Sequence, residues 1–275
     1  MIVIEPTGGI CNRMRALDSA IAFSTEKNLK LYVVWTLNSD CNCRFSDLFI
    51  VPKEFNRLVE LKSGRLTEIL KKCLRVFFSC FPNYYLGHKG IETLKGQWGT
   101  YIQGIKKFLD KLHGYNSVYI QTFSRFYYSS SLPPFGSFIP LVAIQNRVSL
   151  YREENMVGVH IRRGDNKKSI TNSPLEKFIE YMKKEILDDN GVKFFVATDD
   201  PESEVVLKDV FPNRIVTHSK ESLDRNSPLA IQDAVIDLYC LANCRKLIGS
   251  YWSSFSETAS EINGIDKIII KPENL

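Results

Sequence analysis

The chain opens on an apolar, β-branched run, Met1-Ile-Val-Ile-Glu5, which Pro6 to Gly9 interrupts. Met14, Leu17, Ala20, Ile21 and Ser24 then recur at helical spacing. This pattern predicts a strand, a glycine turn and a helix running towards Asn28, with Asn12 as its N-cap. A second strand is expected at Leu31 to Trp35. Such a β–loop–α–β start is typical of nucleotide-binding α/β units, which place a glycine turn at the carboxyl end of the first strand.

From Cys41 to about Pro140 the periodicity is weaker. It predicts a helix at Arg65 to Phe77, another at Gln103 to Leu112 and a strand at Ser117 to Gln121. The aromatics of Phe123 to Tyr128 read as ordinary packing ahead of the alternative, a sugar platform, and Ser129 to Gly136, with Pro133 and Pro134, as a linker or surface loop. Beyond Pro140 a regular alternation sets in. A helix is expected at Leu141 to Glu153, then strand Met156 to Ile161, helix Pro174 to Leu187 and strand Lys193 to Ala197. Helix Pro201 to Val210, strand Arg214 to Thr217, helix Ala230 to Asn243 and strand Lys246 to Gly249 follow. Helix Ser254 to Ile262 and strand Lys267 to Ile270 close the series. Short, continuously apolar strands suit a parallel sheet covered on both faces. The expected architecture is two α/β halves, residues 1–140 and 141–275.

Composition narrows the partners. A chain of 275 residues that is 44% hydrophobic can bury one large or two modest cores. Its net charge of +5 is dispersed along the sequence, which argues against nucleic acid and suits a small anionic ligand. No charged segment followed by an apolar core marks a signal peptide, and no 18-residue apolar run marks a transmembrane segment. The expectation is a soluble, cytoplasmic protein of bacterial type, with peripheral membrane contact still allowed. Seven cysteines form no regular framework: Cys41 and Cys43 flank Asn42, and Cys240 and Cys244 lie one helical turn apart. Buried free thiols are expected rather than zinc ligands.

Three strand ends carry polar chemistry. Gly158-Val-His-Ile-Arg-Arg-Gly-Asp165 ends a buried strand in two arginines, a glycine and an aspartate. Arginine grips a diphosphate through two parallel charge-assisted hydrogen bonds. Neighbouring strand residues face opposite ways, so one arginine is expected on the ligand and the other on a carboxylate such as Asp165. Phe195-Val-Ala-Thr-Asp-Asp-Pro201 ends the next strand, with Thr198 or Asp199 as helix cap; its acidic pair lacks the spacing of a divalent-metal site. Leu247-Ile-Gly-Ser-Tyr-Trp-Ser-Ser-Phe-Ser256 leads into a helix whose N–H groups and serine hydroxyls favour an anion. On the preceding helix Asp233 and Asp237 share a face, which is either a solvated surface or a carboxylate suited to a guanine edge.

Together these segments resemble the fucosyltransferase superfamily of α1,2-, α1,6- and protein O-fucosyltransferases. The resemblance spans most of residues 156–262 and Gly8 to Leu17. It rests on His160-Ile-Arg-Arg-Gly-Asp165, Ala197-Thr-Asp-Asp-Pro201, Asp237-Leu-Tyr-Cys-Leu241 and Gly249 to Ser256, with the turn Gly8-Gly-Ile-Cys-Asn12. It implies a GT-B fold of two Rossmann-like α/β domains facing a cleft, the amino-terminal one on the acceptor side. It further implies GDP-β-L-fucose as donor, a glycan acceptor, inversion and no metal. Carried over, Arg162 binds the β-phosphate, His160 and Asp237 contact guanine, and Ser253 or Ser254 holds the diphosphate. Arg163 and Asp165 shape the fucose pocket, supported by Asp199 and Asp200, while Asn12 lies near the reaction centre. The α1,6 enzymes follow the motif's aspartate with lysine and, shortly after, glutamate; Asn166, Lys167, Lys168 and Ser169 stand here instead. The base and the linkage, α1,2 or α1,6, therefore stay open, with Asp165 favoured as base and Glu5 second. A transferase using another GDP-sugar, such as GDP-mannose, and a non-catalytic nucleotide- or glycan-binding module are the rival readings.

Overall fold

The structure is a computed structural model that describes residues 1–97, 112–164 and 167–271. The chain divides into two compact units, Met1–Pro140 with Asp224–Ile231, and Leu141–Leu223 with Gln232–Leu275. Each unit is built on its own five-stranded parallel sheet.

In the first unit the strands are β1 (Ile2–Pro6), β2 (Leu31–Leu37), β3 (Phe55–Lys62), β4 (Asn83–Leu86) and β5 (Ser117–Thr122). Their order is β3-β2-β1-β5-β4, so β1 lies at the centre. Helix α1 (Ile10–Glu26) buries Met14, Leu17, Ala20 and Ile21, the stripe that its periodicity predicts. Its cap differs from expectation. Gly9, extended at φ −71°, holds the N-cap position, and Asn12 lies inside the first turn. The left-handed Gly8 (φ +75°) turns the chain so sharply that the helix begins before Asn12 is reached. Helix α2 (Arg65–Phe78) forms as expected, and α3 (His88–Gln97) is additional. The helix expected at Gln103 to Leu112 lies, but for Leu112, outside the described residues.

The second unit holds β6 (Val157–Ile161), β7 (Phe194–Thr198), β8 (Ile215–Val216), β9 (Lys246–Ser250) and β10 (Asp266–Ile270), in the order β10-β9-β6-β7-β8. Every residue of β6 and β7 is buried, as covered central strands require. Helices α4 (Val142–Ser149), α5 (Lys167–Asn172), α6 (Leu175–Asp188), α7 (Pro201–Val210) and α9 (Ser254–Asn263) belong to this unit. The division between the units falls within α8 (Pro228–Ala242). Helix α4 ends four residues short of the expected Glu153, and α5 was not expected. Phe178, Met182 and Leu207 close the core over Val157, Val159 and Val196. The chain leaves β6 towards β7 and β8, then returns to β9 on the other side. The β6/β9 seam is thus a topological switch point, the place where open α/β sheets bind ligands beyond the strand ends.

All seven cysteines are free thiols; five are buried, whereas Cys73 and Cys80 are exposed, contrary to expectation. Burial pushes the thiols of Cys43 and Cys244 up to about 12. No helix among the described residues is long and apolar enough to cross a membrane.

The seam depends on Gly249. A Cβ placed there would come within 2.7 Å of Ser256 Cβ and Oγ and 3.1 Å of Ile269. Gly249→Ala is expected to lower unfolding stability by about 1–3 kcal/mol through overpacking, measured by urea denaturation.

Candidate functional site

The polar strand ends of the second unit converge because β9, β6 and β7 are neighbours in space, although β8 intervenes in sequence. The β6/β9 ladder stops at the His160↔Gly249 pair. The Ser250 hydroxyl continues it, donating to the His160 carbonyl at 3.1 Å and accepting from the Arg162 amide at 2.9 Å.

His160 is buried at this seam. Its Nδ1 lies 2.7 Å from Ser256 Oγ, and its ring stacks on Phe255 at 4.7 Å and 20°. Burial pushes its pKa down to about 3, helped by the nearby charges of Arg162 and then Lys220. The imidazole is therefore neutral at pH 7.

The strand ends at Ile161, and both arginines after it find carboxylates from the end of β7. Arg162 Nη1 lies 3.6 Å from Asp199 Oδ2, and Arg163 Nε lies 3.6 Å from Asp200 Oδ2. Asp199 Oδ1 also accepts the backbone amides of Arg163 (2.7 Å) and Gly164 (3.0 Å), strapping the loop after β6 to the end of β7. One expectation changes here. The helix cap is Asp200, which accepts from the Ser203 amide and hydroxyl, rather than Thr198 or Asp199. Among the described residues the carboxylate facing Arg163 is Asp200; the expected contact of an arginine with Asp165 falls outside them.

Ser253 is the N-cap residue of α9, extended at φ −118° and ψ 112°, yet its hydroxyl makes no capping bond. Ser254 is the first helical residue. The turn that delivers them is strained. Trp252 adopts φ +56°, a left-handed conformation costing a bulky residue about 1–2 kcal/mol, and it is 61% exposed. Lys168 Nζ sits over the indole at 4.3 Å. Only the absence of glycine between Ser250 and Ser253 hints at this strain in the sequence.

Asp233 and Asp237 are not on a solvated surface. Both are buried among Arg147, His218 and Lys220. Arg147 Nη2 approaches His218 Nε2 at 2.7 Å and Asp233 Oδ1 at 2.9 Å. Because a guanidinium only donates, His218 Nε2 must accept, which places the imidazole proton on Nδ1. That atom faces Asp237 Oδ1 at 3.3 Å, but neither completes a hydrogen bond. Lys220 Nζ lies 3.0 Å from Asp237 Oδ2 and donates to the Thr198 carbonyl at 3.3 Å, tying the cluster to the end of β7. His218 and Lys220 carry no motif and were invisible in the sequence.

In the first unit, Asn12 Oδ1 accepts from Arg15 Nη2 at 3.1 Å, and Asn12 Nδ2 would sit 3.1 Å from a Cβ at Gly8. The buried Arg13 donates to the carbonyls of Gly8 (2.7 Å) and Thr36 (2.6 Å) and to Asn38 Oδ1 (2.8 Å), fixing the glycine turn. Glu5 is also buried, held by Lys71 at 2.6 Å, Tyr119 at 2.7 Å and Gln121 at 3.0 Å. Among the described residues, no group of three His, Cys, Asp or Glu side chains is placed to hold a metal ion.

No protein-family model and no curated protein sequence matches the chain. Solved structures do. The α1,6-fucosyltransferase NodZ soaked with GDP-fucose aligns at TM-score 0.61 and 16% identity, over 95% of this chain and 92% of its own. Arabidopsis thaliana FUT1, as an R284K mutant with GDP, aligns at 0.63 and 15%, over 99% and 70%. POFUT1 with GDP aligns at 0.54 and 15%, over 98% of each chain. The chain has the GT-B type fold of these fucosyltransferases. The two five-stranded parallel sheets are its two Rossmann-like halves.

Burial of a neutral histidine has a measurable consequence. The folded pKa lies below the ordinary 6.5, so the stabilising effect is complete above pH 6.5 and is lost as pH falls towards 3. Across that window the wild type is expected to lose about 1.4 kcal/mol per pH unit relative to His160→Gln, measured by denaturant titration at stepped pH.

Proposed function

We propose that this chain transfers L-fucose from GDP-β-L-fucose to a glycan hydroxyl, in the α1,2 or α1,6 manner, with inversion and without a metal. The donor lies at the β6/β9 switch point, in the half of the chain spanning residues 141–275, and the half spanning residues 1–140 takes the acceptor. The observation that carries this reading is the convergence, at one seam, of Arg162, the amino-terminal turn of α9 and a buried neutral His160.

Each group has a role in the proposal. Cleavage of the bond between the anomeric carbon and the β-phosphate oxygen leaves negative charge on the diphosphate and oxocarbenium character on the sugar. Arg162 and the first N–H groups of α9, with the Ser253 and Ser254 hydroxyls, stabilise that charge. Losing one such preorganised donor costs about 3 kcal/mol of barrier. His160, neutral at working pH, contacts the guanine as a hydrogen-bonding group with no charge of its own. Asp237 Oδ1, buried without a completed hydrogen bond, suits the guanine N1–H and amino group. Arg163, Asp199 and Asp200 shape the sugar pocket. The acceptor hydroxyl attacks from the face opposite the diphosphate, which inverts the anomeric centre. Asp165 is the proposed base, with Asn12 orienting the reacting groups. Glu5, the other candidate, supports that role less: it is buried and already neutralised by Lys71. The protein is proposed to act in a bacterial-type cytoplasm, as a soluble or peripherally membrane-associated enzyme.

Calorimetric titration tests the donor site. GDP is expected to bind equally with and without EDTA, at least about tenfold more tightly than UDP, and about 10- to 100-fold less tightly to Arg162→Ala, the size of one charge-assisted interaction. Equal binding of UDP, or an unchanged Arg162→Ala, contradicts the guanine and phosphate assignments.

A further inference from the structure

We infer that Phe123, backed by the His88 ring, is a stacking platform for an acceptor sugar ring in the first unit, with the Asn12 amide at its edge. The inference rests on the proposed glycan transfer and adds to it a binding surface. In the first sheet the chain runs from β1 to β2 and β3 on one side, while β5 and β4 occupy the other. The β1/β5 seam is therefore that unit's own switch point, where ligands lie beyond the strand ends. Two segments emerge there: Thr7 to Asn12 directly after β1, and Phe123 directly after β5.

The aromatics of Phe123 to Tyr128 are sorted by the fold. Phe126 and Tyr127 are buried, and the Tyr128 ring carries the Arg125 guanidinium at 4.7 Å. Phe123 is 39% exposed at the strand end. Its ring stands 3.6 Å from the His88 ring at 33°. His88 is anchored in turn, with Nδ1 3.2 Å from Thr122 Oγ1. An aromatic face held from behind and wet in front suits the apolar C–H face of a pyranose.

The neighbouring polar groups complete such a site. A Cβ at Gly8 would sit 3.6 Å from Phe123 Cβ and 3.1 Å from Asn12 Nδ2, so these three residues adjoin. Because Arg15 only donates, the Asn12 atom that it meets is the carbonyl oxygen, and Asn12 turns its amide N–H group towards this space. That group donates to a sugar hydroxyl while the ring face lies on Phe123. The absence of a side chain at Gly8 keeps the gap between them open.

Saturation-transfer NMR with lactose, cellotetraose and chitotetraose, run beside GDP calorimetry, tests this. At least one oligosaccharide is expected to bind the wild type. Its affinity should fall about tenfold in Phe123→Ala and stay within about threefold in Phe123→Trp, the range of one aromatic contact, with GDP affinity equal in all three. Should Phe123→Ala lose GDP binding through misfolding, Phe123→Leu, which keeps the apolar bulk but not the flat face, is expected to show the same tenfold loss. No oligosaccharide binding to the wild type, or unchanged binding to the Ala or Leu variant, overturns the platform. Failure of the wild type to bind GDP overturns the donor site instead.

Discussion

One hydrogen bond, between the His160 imidazole and the Ser256 hydroxyl, organises the carboxyl edge of the second sheet. It joins the end of β6 to the first turn of α9 across a gap that exists only because residue 249 has no side chain. Phe255 stacks on the same ring, and the neighbouring Ser250 hydroxyl carries the strand pairing one step beyond its last backbone rung. The imidazole is neutral because it is buried, so the seam holds a polar anchor without adding a cation inside the core. With α9 fixed there, its amino terminus lies at the carboxyl edge of the sheet, just beyond the end of β9.

The carboxylates around the seam position rather than neutralise. Asp199 spends one oxygen on two backbone amides and leaves the other 3.6 Å from Arg162, too far for a tight ion pair. Lys220 extends the same logic, reaching from the Thr198 carbonyl to Asp237 and so linking the strand end to the buried cluster of Asp233, His218 and Arg147. Burying two aspartates on successive turns of α8 is tolerable because two cations, Arg147 and Lys220, meet them.

Much of this was legible in the sequence. The strands of the second unit announced themselves because both their faces are covered, which leaves near-continuous apolar runs in β6, β7 and β9. The turn at Gly8 and the helix α1 were equally plain. What escaped detection were the edges. β3 and β4 flank the first sheet; β3 is exposed along much of its length and β4 has four residues, so neither presents an apolar run. Caps shifted by one to three residues for local reasons: a left-handed Gly8 displaced Asn12, and Asp200 outcompeted Asp199 because its carboxylate reaches the Ser203 amide. Arg162, Arg163 and the serines were readable from motif position. His218, Lys220 and the strained Trp252 were not, because their significance arises from tertiary neighbours rather than from spacing. The pairing of Phe123 with His88 joins residues 35 apart and likewise depends on β4 and β5 lying side by side.

A guanine nucleotide's diphosphate is proposed to rest on the β6/β9 seam at the start of α9. Hydrogen–deuterium exchange with and without GDP addresses it at the level of individual backbone amides. Slowed exchange is expected at Ser254 to Glu257 and at Arg162 to Gly164, with UDP giving less protection at equal concentration. Protection elsewhere with these two segments unchanged, or none at saturating GDP, would contradict it.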